Sequence, residues 1–161
     1  MTTWVVDTSP LIFLGKLGRL DLLKKGADVI HAPQAVLDEV QVKSDDATQA
    51  IEEAAHSWLV VREVGNQSTV EILLADLDRG EAEAIVLARE IGADRLMMDD
   101  LDARRFARRV GLEVVGTMGL LLAARLRGEI PSIREEVERL QELGFRVSPS
   151  LVEAMLREAG E

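Results

Sequence analysis

The chain has 161 residues, a length that suits one compact domain, and 47% of them are hydrophobic, which is enough for a buried core. It contains no cysteine, which excludes disulfides and thiolate metal sites, and no apolar run approaches the ~18 residues that a membrane-spanning helix needs. Its net charge of −10 argues, when considered alone, against a nucleic-acid partner, because phosphate binding requires lysine and arginine.

The first residues, MTTWVVDTSPLIF, lack the positively charged start of a secretory signal. Together with the lack of cysteine, this favours a cytoplasmic protein with no membrane attachment. We expect one domain over residues 1–161, in which residues 130–161 form a C-terminal helical extension. The last residues, 158–161, are expected to be mobile.

Five short segments rich in valine and isoleucine predict strands. They are residues 3–7 (TWVVD), 28–31 (DVIH), 58–63 (WLVVRE), 95–99 (RLMMD) and 112–116 (LEVVG). Helical patterns separate them. Because strands that alternate with helices form right-handed βαβ units, we expect an α/β fold with a central, mostly parallel sheet.

Apolar spacing predicts the helices that matter for function. Residues 33–42 form one, the segment GEAEAIVLA begins a second, and a third starts near Asp102. A strongly apolar helix follows over residues 119–126. Ser132 with Glu135, and later Ser148 with Pro149, are typical of helix starts.

Acidic residues follow two of the predicted strands. Asp7 ends the first strand and precedes Thr8 and Ser9, while Asp99 and Asp100 end the fourth. Ligands bind at the carboxyl ends of parallel strands, and clustered carboxylates stay ionised only when a cation neutralises them. Oxygen ligands favour Mg²⁺ or Mn²⁺. For a single acid such as Asp7, capping of the next helix is an equally good interpretation.

Two further acids lie at positions that could join this site. Glu39 lies at the edge of the apolar stripe of its predicted helix, and Glu81 opens the helix that follows Gly80. Each has a purely structural interpretation. Glu39 could be an exposed helix acid, and Glu81 could be a favourable charge at a helix N-terminus.

The positive charge is concentrated in one part of the chain. Residues 103–128 contain six arginines and one acid, Glu113, which gives this segment a local charge of +5. Arg104 and Arg108 lie one helical turn apart in the helix that follows Asp100. They could hold phosphate groups, although a solvated helix face is the alternative interpretation.

The motifs VVDTSPLI, AVLDEV, RGEAEAIVLA, LMMDDLDARRFA and GLEVVGTMGLLL together resemble the PIN-domain family, in particular its toxin ribonucleases and an uncharacterised subgroup with a GEAEAI helix. The resemblance runs along most of the chain. It implies a three-layer α/β/α fold and a metal-dependent endoribonuclease, a hydrolase that is the toxin of a toxin–antitoxin pair. It also implies RNA as substrate, a possible antitoxin partner and a homodimer.

The family has four acidic positions around one or two divalent metals. By resemblance they fall on Asp7, Glu39, Glu81 and Asp100 as catalytic residues. The implied metal ligands are Asp7, Glu81, Asp99 and Asp100, and the substrate-binding residues are Thr8, Ser9, Arg104 and Arg108. Met98 replaces the family's usual threonine, and Glu81 replaces its usual aspartate. Asp99 and Asp102 compete with Asp100 for the fourth position.

Other functions fit the sequence less well. A haloacid-dehalogenase phosphatase needs an aspartate where Ser9 stands, and a receiver domain needs one at the end of its third strand. No glycine-rich phosphate-binding motif is present. The remaining alternative is a PIN-like protein that is catalytically weak or inactive and serves as a binding or regulatory partner. The apolar run of residues 118–124 and the C-terminal amphipathic helices are expected to provide the hydrophobic surface of the dimer.

Overall fold

The structure is a computed structural model that describes residues 1–43 and 45–161, and these residues form five strands and ten helices. The strands are β1 (Thr3–Val6), β2 (Val29–Pro33), β3 (Leu59–Arg62), β4 (Arg95–Met97) and β5 (Val114–Val115). The helices are α1 (Thr8–Leu17), α2 (Asp21–Gly26), α3 (Gln34–Lys43), α4 (Asp46–Ala55), α5 (Gln67–Leu73), α6 (Arg79–Glu90), α7 (Leu101–Arg109), α8 (Thr117–Leu126), α9 (Ile133–Glu142) and α10 (Pro149–Glu158).

The five strands form one parallel sheet in the order β3-β2-β1-β4-β5. This confirms the α/β prediction. The pairing of β1 with β4 ends at Val6 and Met97, so both strands stop before the acids that were predicted to end them. Asp7 and Asp99 therefore lie just beyond neighbouring strands, at the same carboxyl edge of the sheet.

Successive side chains of each strand point to opposite faces of the sheet, and each face carries a hydrophobic cluster. Trp4, Val6 and Met97 pack into one cluster together with residues of α1, α4, α8 and α9. Val5 and Leu96 point the other way, into a cluster with residues of α6 and α7. Because successive strand side chains point to opposite faces, the sheet separates two helical layers, and the fold has the expected three layers.

The last two helices are joined to the rest of the chain by buried or partly buried carboxylates. Glu136 on α9 is 2% exposed and accepts hydrogen bonds of 2.9 and 2.7 Å from the guanidinium of Arg19. Glu161 accepts hydrogen bonds from Ser132, Ile133, Arg134 and Arg125. These contacts tie Glu161 to α8 and α9, and the expected mobility of residues 158–161 stays a prediction. The division of the domain at residue 130 stays a prediction.

The apolar run of residues 118–124 does not provide the surface that was predicted for a dimer. Met118, Leu120, Leu121 and Ala124 are buried within this chain, packed in the cluster that contains α1 and α9. That expectation is wrong because α9 packs against α8 and buries an apolar face for which no partner was predicted. Among the described helices, none is long and apolar enough to cross a membrane.

Candidate metal centre

Asp7 lies at the centre of the carboxyl edge, between β1 and the first turn of α1. It is only 5% exposed, and its Oδ1 atom is buried without a hydrogen-bond partner in the part of the chain that the structure describes. Its backbone amide donates to the carbonyl of Met97 at 2.9 Å, which fixes the residue beside β4. Burial raises the pKa of Asp7 to about 8. A hydrogen bond from the Thr8 amide opposes this rise, and the charges of Asp78, Glu81 and Glu39 add to it in smaller amounts.

The start of α6 brings two more carboxylates to this edge. Asp78 accepts a 2.7 Å hydrogen bond from the amide of Glu81, and Glu81 accepts one of 3.1 Å from the amide of Asp78. This reciprocal capping fixes both side chains in the first turn. Burial raises the pKa of Glu81 to about 7, with further contributions from the charges of Asp78, Asp100 and Glu39.

Asp78 was missed by the sequence analysis. Its charge is the first of the three acidic neighbours that raise the pKa of Asp7, ahead of those of Glu81 and Glu39. The signal that could have identified it is the spacing Asp-x-x-Glu before an apolar helix, which is a variant of the capping box.

Gly80 allows α3 and the first residue of α1 to approach the start of α6. A Cβ atom at this position would lie 2.8 Å from Glu39 Oε1 and 3.3 Å from Thr8 Oγ1. A larger residue would displace the end of the Glu39 side chain from this position. Glu39 is half-buried, and the Thr8 hydroxyl is a second buried oxygen without a hydrogen-bond partner among the described residues.

The three acids after β4 have different environments. Asp100 is exposed and caps α7 through a 2.9 Å hydrogen bond from the amide of Ala103. Asp99 is half-buried and accepts hydrogen bonds from Ser9 and Thr117. Asp102 is exposed and lies 3.6 Å from Arg105. Of the three, Asp100 is the one whose charge raises the pKa of Glu81.

The charges of Asp78, Glu81 and Glu39 thus act on Asp7, and the charge of Asp100 acts on Glu81, so these acids lie near one another at the carboxyl edge. Asp99 and Ser9 face the start of α8 instead. Within residues 1–43 and 45–161, no three acidic or histidine side chains already form a metal-binding set. The donor set nevertheless fits Mg²⁺ or Mn²⁺, because all its donors are oxygen atoms and two of them, on Asp7 and Thr8, are buried without a partner.

Arg104 lies near Asp99 and Gly116, and Arg108 lies one turn farther along the same helix. Arg104 is half-buried and its Nε atom has no partner in the described part of the chain, while burial and then the nearby Arg108 lower its pKa. Neither arginine forms an ion pair within 4.0 Å in that part of the chain. Arg104 also lines a largely apolar groove of about 590 Å³ between α7, α8 and α10.

Comparison with known proteins gives one result. A protein-family model described as a PIN domain matches residues 3–161, which is nearly the whole chain. No curated protein matches the sequence.

Proposed function

The chain belongs to the PIN-domain family, whose members are generally nucleases, and from that premise we propose that it is an endoribonuclease dependent on Mg²⁺ or Mn²⁺. The observation that carries the proposal is the state of Asp7. A carboxylate that is buried, unpartnered at Oδ1 and crowded by other acids is unfavourable in the protein alone. A bound cation would neutralise it.

We assign the metal to the oxygens of Asp7, Glu81 and Asp100, with Glu39 holding a metal-bound water or a second cation. When bound, a divalent cation polarises a phosphate and lowers the pKa of a coordinated water. Because its pKa is about 8, Asp7 is mostly protonated at neutral pH and must lose this proton when a cation binds. Metal binding is therefore coupled to proton release from this carboxyl group.

The remaining assigned residues handle the RNA. Thr8 offers its buried hydroxyl as a donor to a phosphate oxygen or to Asp7, since it has no other partner among the described residues. Arg104 and Arg108 hold the phosphates next to the scissile one, because a guanidinium can donate two parallel hydrogen bonds to a phosphate. Their positive charge also offsets the repulsion between RNA and the acidic edge.

The test is a gel-based RNA cleavage assay in Mn²⁺ and in EDTA. The wild-type protein should cleave only with the metal, and Glu39→Gln should lower the rate at least 100-fold. The matched control is Asp38→Asn, a neighbouring and exposed acid that accepts a hydrogen bond from Gln34 on the outer side of the same helix. Equal loss of activity in both variants, or cleavage by the wild type in EDTA, would refute the assignment.

We further propose that the protein is a cytoplasmic toxin of a toxin–antitoxin pair and acts as a homodimer. Large apolar side chains remain exposed and could pair with a second copy or an antitoxin; they include Val42, Ile72, Leu101, Leu126 and Leu151. Light scattering at ~50 µM, above the dissociation constants of most obligate dimers, should give a dimer mass. Expression of the wild-type protein should arrest growth while Asp7→Asn does not.

A second candidate is a PIN-like binding or regulatory protein without activity. It is favoured by the capping of α6 and α7 by Asp78, Glu81 and Asp100, whose carboxylates serve helix starts and form no ready metal-binding set among the described residues. The cleavage assay separates the two functions, because this candidate predicts RNA binding without products in any metal.

A further inference from the structure

We infer that Ser9, Asp99 and Thr117 form a clamp that positions the proposed metal ligands, and that Asp99 is a positioning residue rather than a ligand. This inference rests on the proposed function, because the clamp acts on Asp7 and Asp100. We call these three residues the Asp99 clamp. Thr117 has no role in the sequence analysis, where the helix that contains it was predicted to begin at residue 119.

Both oxygens of Asp99 are engaged by donors from two other elements. Oδ2 accepts hydrogen bonds of 2.9 Å from Ser9 Oγ and 2.7 Å from Thr117 Oγ1, and Oδ1 accepts one of 2.7 Å from the Thr117 amide. Ser9 lies in the first turn of α1, Asp99 follows β4, and Thr117 is the first residue of α8. One carboxylate therefore joins three elements at the carboxyl edge.

Each end of the clamp adjoins a proposed ligand. Ser9 is two residues after Asp7, and Asp99 directly precedes Asp100. The backbone pairing between β1 and β4 ends at Val6 and Met97, followed by the hydrogen bond from the Asp7 amide to Met97. Beyond this point the hydrogen bond between Ser9 and Asp99 again joins the two segments, so it restrains the distance between them where the proposed ligands lie.

The clamp is unfavourable to metal ligation by Asp99 itself. Thr117 is 0% exposed, so withdrawing Asp99 would leave a buried hydroxyl and amide without an acceptor. The backbone also passes close by, because a Cβ on Gly116 would lie 3.0 Å from Asp99 Oδ1 and 3.0 Å from Arg104 Nη1. In contrast, Asp100 accepts one hydrogen bond in the described part of the chain and is exposed.

The test compares Thr117→Val, which removes the hydroxyl but keeps the shape and the amide, with Thr117→Ser, which keeps the hydroxyl. Mn²⁺ binding is measured without RNA from the electron paramagnetic resonance of free Mn²⁺, and kcat and KM are measured on RNA. Residues that orient metal ligands typically contribute about 10- to 100-fold to metal affinity. We expect Thr117→Val to weaken Mn²⁺ binding about 10-fold and to lower kcat with KM unchanged. Thr117→Ser should stay within about twofold of the wild type.

Several results would overturn the inference. Unchanged or tighter Mn²⁺ binding in Thr117→Val would mean that Asp99, once released, is itself a ligand. Equal weakening in both variants would mean that packing, not the hydroxyl, matters. If Thr117→Val does not fold, Ser9→Ala removes the other hydroxyl from a half-buried position and carries the same expectation. A wild-type protein that binds no Mn²⁺ would refute the proposed function as well.

Discussion

Asp7 and Glu161 show how differently one chain can treat two carboxylates. Asp7, at the carboxyl edge of the sheet, is 5% exposed and has an oxygen without a hydrogen-bond partner among the described residues, and burial raises its pKa to about 8. Glu161 lies where α8, α9 and α10 meet, and its side chain is 16% exposed. There burial is outweighed by donors from Ile133, Ser132, Arg134 and Arg125, which lower its pKa to about 2.

The difference lies in the donors that surround each group. Hydrogen bonds to a carboxylate stabilise its charged form, whereas burial and neighbouring acids stabilise its neutral form. Glu161 is thus a structural link between helices, and its charge is satisfied within the chain. Among the described residues, Asp7 Oδ1 has no hydrogen-bond donor to stabilise its charge, which is why we place the cation there.

The largest effect is expected when the carboxyl group of Asp7 is replaced by an amide. Asp7→Asn should lower RNA cleavage at least 100-fold, yet raise the free energy of unfolding at pH 7 by about 1–3 kcal/mol in EDTA. The reason is that Asp7, whose pKa rises from 3.8 to about 8 on folding, must take up a proton to fold, and asparagine need not. Denaturant melts and cleavage rates measure the two effects. A less stable variant would show that Asp7 supports the fold.

The pH dependence should separate the two carboxylates next. For Asp7, whose folded pKa is raised from 3.8 to about 8, the stability of the metal-free protein falls as the pH rises through this range. Glu81, raised from 4.5 to about 7, acts in the same direction. The stability gained by Asp7→Asn should therefore grow from pH 5 to pH 8. A gain that is constant with pH would contradict the raised pKa.

Glu161→Gln should have the opposite effect on stability and none on the metal. Loss of a charged hydrogen-bond acceptor should cost about 1–2 kcal/mol at pH 7. Because its folded pKa is lowered from 4.5 to about 2, the contribution is present above pH 4.5 and is lost as the pH falls toward 2. Thermal melts at pH 7 and pH 3 measure it. Weakened Mn²⁺ binding in this variant would contradict the view that Glu161 is only a structural link, in contrast to Asp7.

The smallest expected effect concerns the arginines beside the acidic edge. The double variant Arg104→Ala with Arg108→Ala should weaken RNA binding and, at roughly 0.7–0.9 units per lost phosphate contact, reduce its salt slope by about 1.5 units, with Mn²⁺ binding intact. Affinity measured at two salt concentrations, together with a melting curve, decides the point. Unchanged affinity at both salts would favour the binding or regulatory function, and a lower melting temperature would show that the arginines stabilise the acidic edge.

Much of the fold follows from the sequence because periodicity reports burial. The five strands and their parallel arrangement were predicted, and Ser132 and Ser148 do cap α9 and α10. Four strands were predicted to end one or two residues too late, at Asp7, Glu63, Asp99 and Gly116, whereas β2 was predicted to end two residues before Pro33. The run of residues 118–124 was misjudged because its partner, α9, is contributed from elsewhere in the chain.

The candidate site was harder to predict, because tertiary contacts decide what an acid does. The position of Asp7 after β1 follows from its strand, and α3 and α6 bring Glu39 and Glu81 to it. Nothing local distinguishes Asp99 from Asp100, since the difference comes from Ser9 and Thr117, which are distant in sequence.

The central claim, that a cation completes the acidic edge, is tested most directly by calorimetric titration of Mn²⁺ at pH 7. Performed in two buffers of different ionisation enthalpy, the titration counts the protons released on binding. We expect binding by the wild-type protein with release of about one proton, as the raised pKa values of Asp7 and Glu81 require, and strongly weakened binding by Asp7→Asn. No binding, or binding that neither releases protons nor depends on Asp7, would contradict the claim.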